Sequence, residues 1–125
     1  MISVETRGHR TIFTVTGDVT ANEIILQSAR YREGTQTGPS LWDFTQAASV
    51  RITTVEMKGI ADSLKNVPGE GEGRKVALVG SKTINIGLGK MFAAFAQIAG
   101  LPHTYKVFRH MAPALKWLEE KPDPR

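Results

Sequence analysis

Lys75-Val-Ala-Leu-Val79, then Gly87-Leu-Gly-Lys-Met-Phe-Ala-Ala-Phe-Ala-Gln-Ile-Ala99, then Tyr105-Lys-Val-Phe108, then Pro113-Ala-Leu-Lys-Trp-Leu118 set the architecture of this 125-residue chain. The first segment is apolar at every position after Lys75, the pattern of an interior parallel strand covered on both faces. The second places Leu88, Met91, Phe92, Phe95, Ile98 and Ala99 at helical spacing, extended upstream by Ile84 and stopped by Gly100 and Pro102. A further strand and a short Trp-bearing helix follow, so this half reads β-α-β-α.

Outward from there, Ile2, Val4, Phe13 and Val15 alternate with polar neighbours on either side of Gly8-His9-Arg10, predicting two antiparallel strands. The second is expected to stop at Gly17-Asp18. Thr20 precedes Glu23 by three residues, and Thr53 precedes Glu56 by three. Each pair predicts a capping box, in which hydroxyl and carboxylate satisfy helix-start amides reciprocally. The first helix carries Ile24, Ile25, Leu26 and Ala29 and ends in Glu33-Gly-Thr-Gln-Thr-Gly-Pro39; the second carries Met57, Ile60, Ala61 and Leu64. Between them Leu41-Trp-Asp-Phe44 predicts a short buried strand, and Pro68-Gly-Glu-Gly-Glu-Gly-Arg74 a loop.

The expectation is one α/β domain over residues 1–125, with 119–125 a frayed tail. Its sheet has five mostly parallel strands in the order 1-2-3-4-5, the first antiparallel, with helices mostly on one face. Part of the opposite face then needs cover, and a second subunit would supply it, so a homodimer is expected. The length is enough to bury about two-thirds of the unfolded surface.

Composition narrows the function classes. There is no cysteine, hence no disulfide framework and no thiolate metal site. No leader-like segment or long apolar run occurs, so the reading is a cytoplasmic protein without membrane insertion. The net charge is +4, but the 16 basic residues form no run. Phosphate recognition needs a concentrated field, so nucleic acid is not an expected partner.

The C-terminal segments also carry a resemblance. Val76-Ala-Leu-Val79, Gly87-Leu-Gly-Lys-Met-Phe92, Val107-Phe-Arg109 and Ala114-Leu-Lys-Trp-Leu118 resemble, in order, the corresponding segments of the SpoIIAA-like proteins. These are small bacterial domains related to the STAS and SEC14 folds. The resemblance implies the same α/β fold and a regulatory or protein-interaction role with a protein partner. STAS relatives are switched by phosphorylation of a Ser or Thr opening the helix after the third strand. Here Ile52-Thr-Thr-Val55 stands at that point, without the family's preceding Asp and following Gly. Thr53 reads as the helix cap, leaving Thr54 as the implied modification site.

Ligands of open parallel sheets bind beyond the carboxyl ends of the strands. That rim is expected to hold Asp43, Ser81, Lys82, Arg109 and His110, a polar mouth suited to an anionic group. Gly80-Ser-Lys-Thr83 and Gly87-Leu-Gly-Lys90 lack the spacing of a nucleotide-phosphate loop. His9, His103 and His110 have neither paired metal-ligand spacing nor triad partners, so no catalytic set, metal or cofactor is expected. Trp42, Phe44, Met91, Phe92, Phe95 and Trp117 are core by default. They would line a carrier or sensor site for a small apolar or amphipathic ligand if they enclose space, about 300 Å³ or more for a lipid.

Overall fold

A computed structural model describes residues 1–8, 10–33, 38–65, 75–101 and 103–120, with residues 29–33 and 65 described by backbone alone. His9, most of the loop before Pro39, the 68–74 loop, Pro102 and residues 121–125 of the tail lie outside the described residues.

The order of elements is β1 (Ile2–Arg7), β2 (Arg10–Thr20), α1 (Ala21–Glu33), β3 (Ser40–Arg51), α2 (Thr54–Lys65), β4 (Lys75–Val79), α3 (Thr83–Ile98), β5 (Thr104–Phe108) and α4 (Met111–Glu119). The five strands form one sheet in the order β1-β2-β3-β4-β5. β1 is antiparallel to β2 and every other pair is parallel. This is the expected sheet.

α4 starts at Met111 and reaches Glu119, a little longer than expected, and three boundaries differ more. β2 does not stop at Gly17-Asp18: Gly17 takes φ +66°, the ladder shifts register there, and the strand runs on to Thr20. β3 extends past Phe44 to Arg51, because Gln46 to Arg51 pair with Thr16 to Thr20 of β2. Val19 and Ala47 are buried in this outer ladder, and Ser49 Oγ donates to Asp18 Oδ1 at 2.6 Å. α3 begins at Thr83, four residues before Gly87.

Strand periodicity sends alternate residues to opposite faces. Phe13, Val15, Trp42, Val76 and Leu78 form one cluster, against which Ile24, Phe92 and Val107 pack. Ile12, Leu41, Ala77 and Val79 form the other, with Ala114 and Leu118 of α4. Helices α1, α2 and α3 therefore lie on the first face and α4 on the second, in keeping with helices mostly on one face.

The second face is closed by the chain itself. α4 covers β3, β4 and β5, and toward the β1 edge this face carries Ser3, Glu5 and Arg7, which water can solvate. Lys75 Nζ donates to the α4-end carbonyls of Trp117 (2.8 Å) and Glu120 (2.7 Å). A cation there complements the helix C-terminus. The second subunit inferred from a bare sheet face is thus not required on this face.

The stripe expected along α3 is also rotated. Ile86 and Ala96 are its buried residues, whereas Ile84 and Ile98 are 70% and 80% exposed. Gly89 explains the rotation. A Cβ there would stand 3.3 Å from Val107 Cγ2, so the helix lies on β5 through a residue without a side chain.

Candidate functional site

The outer half of β3 projects beyond β4, which pairs only with Ser40 to Asp43. Its backbone therefore has one free edge, and the carbonyls along it need donors. Lys82 supplies them: its Nζ lies 3.0 Å from the Ala48 oxygen and 3.4 Å from the Ala47 oxygen. The lysine expected to receive an anion is instead committed to two main-chain carbonyls.

The other rim residues are dispersed. Asp43 is buried, shares the α4 side of the sheet with Leu41, and accepts from Thr45 N at 2.9 Å and Thr45 Oγ1 at 2.6 Å. Its charge is thus used in a local turn. The Gly80 amide donates to the Phe108 carbonyl at 3.0 Å, which brings the exits of β4 and β5, and so Ser81, Arg109 and His110, to one end of the sheet. All three are exposed, and His110 stands at the N-cap of α4 without a side-chain cap bond. Among the described residues no hydrogen bond or ion pair joins any two of Asp43, Ser81, Lys82, Arg109 and His110. No group of three or more potential metal ligands occurs among the described residues.

Thr53 forms the predicted capping box in full. Its Oγ1 accepts from Glu56 N at 3.1 Å, and Glu56 Oε1 accepts from Thr53 N at 2.9 Å. Thr54, the implied modification site, is exposed in the first turn of α2. At Thr20 half the box forms: the Glu23 amide donates to Thr20 Oγ1 at 3.4 Å. The Glu23 carboxylate turns instead toward the Met1 ammonium, 3.6 Å away.

The feature of greatest chemical interest lies beneath α1, α2 and α3. The rings of Phe13, Trp42 and Phe44 stack across the sheet, with centroids 4.2 and 6.3 Å apart and planes within 16°. Phe92 of α3 meets Tyr105 edge-on at 5.2 Å. Trp42, Phe44, Met57, Leu88 and Phe92 surround a hollow with a clear interior of about 90 Å³. The projecting arm of β3 supplies one wall through Val50, and Ile52 continues it.

Side-chain nitrogen or oxygen on this lining is confined to Ser28, Trp42 and Asn85. The hollow opens to solvent on one side, and its walls offer a water few polar partners. It is far larger than the gaps of a close-packed core and well short of the roughly 300 Å³ of a lipid pocket. Part of the aromatic cluster thus lines a partly open hollow. Met91 is on the outer side of α3, and Trp117 packs on the opposite face against Phe108 at 5.7 Å.

Sequence reading placed the site on the polar rim because it sought charges. Ile52, Asn85 and Gly89 were missed, and the only available signal was the absence of bulk at Gly89 within an otherwise bulky helix.

No protein-family model matches the chain and no curated protein matches it. Among the described residues no helix is long and apolar enough to cross a membrane.

Proposed function

We propose that this protein is a non-catalytic, cytoplasmic binding domain of the SpoIIAA-like, STAS-related type, which takes a small apolar or amphipathic molecule into the hollow under α1, α2 and α3. The observation that carries this reading is the hollow of about 90 Å³ walled by aromatic and aliphatic side chains. Apolar cavities of about 150 Å³ take up benzene, so the scale is that of one ring or a short branched chain. The sheet order and the single antiparallel strand support the family assignment. Occupancy would be passed to a regulatory partner through α2 and α3, which wall the hollow from within and face outward at Thr54 and Ile84.

A second copy of the chain is the partner favoured by the outer surface of α3. Ile84, Met91 and Ile98 stand seven residues apart and are exposed, with Gly87 and Ala94 between them on the same side. Large and small residues alternating along one stripe allow the stripe to pack on itself about a two-fold axis.

Native mass spectrometry of protein isolated from its native source tests both readings in one spectrum. The expected result is a dimer carrying a reproducible added mass of about one hundred daltons, a size set by the hollow. A chain with no adduct overturns the ligand reading, and a monomer at micromolar concentration overturns the dimer. An adduct removed by phosphatase would place phosphate on the chain and send attention to Thr54.

A further inference from the structure

Asn85 lies in the first turn of α3 and lines the hollow, yet its Nδ2 is buried and has no hydrogen-bond partner. A buried donor left unpaired is costly, about tenfold or more in an equilibrium constant. Native proteins rarely leave one without a use. The lining around it is otherwise apolar, with Ser28 and Trp42 the only other polar side chains among the described residues that wall the hollow.

The amide also has nowhere else to go. Gly80 packs so closely beneath it that a Cβ there would stand 3.2 Å from Asn85 Cβ. The base of the side chain is therefore held at the β4–α3 junction, and the amide moves by rotation about χ1 and χ2, the latter a broad and soft torsion. These rotations can turn the donor toward the hollow that Asn85 lines.

We infer that the ligand of this hollow is a compact apolar molecule bearing one neutral acceptor oxygen, a carbonyl, which accepts from Asn85 Nδ2 while the apolar body lies against Trp42, Phe44 and Phe92. This inference rests on the ligand reading above and adds to it the polarity and the orientation of the bound molecule. The oxygen sits toward the carboxyl ends of β3 and β4, where Asn85 and Gly80 are, and the body points along the aromatic row. Pure hydrocarbons of the same shape leave the amide unpaired and are the discriminated competitors.

The test uses two isosteric probes, acetophenone and ethylbenzene, titrated into the full chain by isothermal calorimetry. Acetophenone is expected to bind about tenfold more tightly, the value of one hydrogen bond made by an otherwise unpaired buried donor. In Asn85→Leu the preference should vanish, with ethylbenzene binding retained. Equal binding of the two probes to the unmodified chain overturns the assignment of Asn85 while leaving the ligand reading in place. Binding of neither overturns both. Persistence of the preference in Asn85→Leu assigns the donor elsewhere and overturns the inference as well. Should Asn85→Leu not fold, the side-chain amide resonances of Asn85 in the unmodified protein decide the matter: they should shift downfield with acetophenone and not with ethylbenzene.

Discussion

On the α4 side of the sheet, Ala77 and Ala114 have no exposure at all, and Ile12, Leu41 and Leu118 close around them. On the other side, three helices lie over Phe13, Trp42 and Phe44, and about 90 Å³ stays empty. The same strands build both faces, so strand propensity does not account for the difference. Side-chain size does. Alanines facing alanines let α4 come close and leave aliphatic groups to interdigitate, whereas flat rings stacked within 16° of one another cannot tile the irregular underside of three helices. On the aromatic face α3 comes close to β5 at Gly89, against Val107. Elsewhere α3 is held off by Leu88 and Phe92. A tight face fixes the fold, and a loose face provides room for a guest.

The largest effect expected from this contrast is the response to one identical truncation on the two faces. Leu118→Ala on the tight face should cost about 3 kcal/mol, since the deleted methyl groups leave a new cavity that α4 cannot collapse. Leu88→Ala borders space that is already empty and should cost about 1 kcal/mol, because the removed atoms have fewer neighbours to lose. Urea unfolding of the two variants checks this, provided that the m-values agree. Equal losses would mean that the hollow is closed in solution.

A smaller effect, and one whose sign is informative, comes from two glycines two positions apart in α3. Gly87 is exposed, and a methyl group added to it would meet nothing within 4 Å of its own chain, so at concentrations where the chain is monomeric Gly87→Ala should stabilise by about 1 kcal/mol through helix propensity alone. Gly89→Ala gains the same propensity but drives a methyl to 3.3 Å from Val107 Cγ2. Overpacking of this kind costs about 1–3 kcal/mol, so the net result should be a loss. Thermal melts that ranked both variants above the parent would show that α3 can lift from β5, and that the hollow is wider than its resting volume.

Features set by neighbouring residues were far easier to read from sequence than those set across the sheet. Lys75 to Val79 announces a strand covered on both sides, and Thr53 with Glu56 marks the start of α2 by reciprocal hydrogen bonds. These are local signals. The outer half of β3 is not local: Gln46-Ala-Ala-Ser has little strand character of its own and becomes a strand because β2 continues beside it through Gly17. Lys82 illustrates the same limit. As a residue after a strand it suggests an anion site, and only the projecting edge of β3, invisible in the sequence, gives it Ala47 and Ala48 to bond. Asn85 carries no pattern at all, since its interest is a missing partner, and a missing partner exists only once the chain is folded.

The smallest expected effect concerns how the loose face is anchored. α2 and α1 both wall the hollow, but α2 starts from a complete capping box and α1 from half of one. Thr53→Ala should therefore cost about 1 kcal/mol, within the usual range for a lost N-cap, and Thr20→Ala roughly half as much. Hydrogen exchange gives the sharper test. Loss of the Thr53 cap frees the α2 amides near Glu56, so protection should fall along α2, whose Met57 and Ile60 line the hollow, while the amides of α4 and β4 keep theirs. A fall in protection spread evenly over both faces would mean that the sheet transmits the loosening, and that the hollow and the tight core open as one unit.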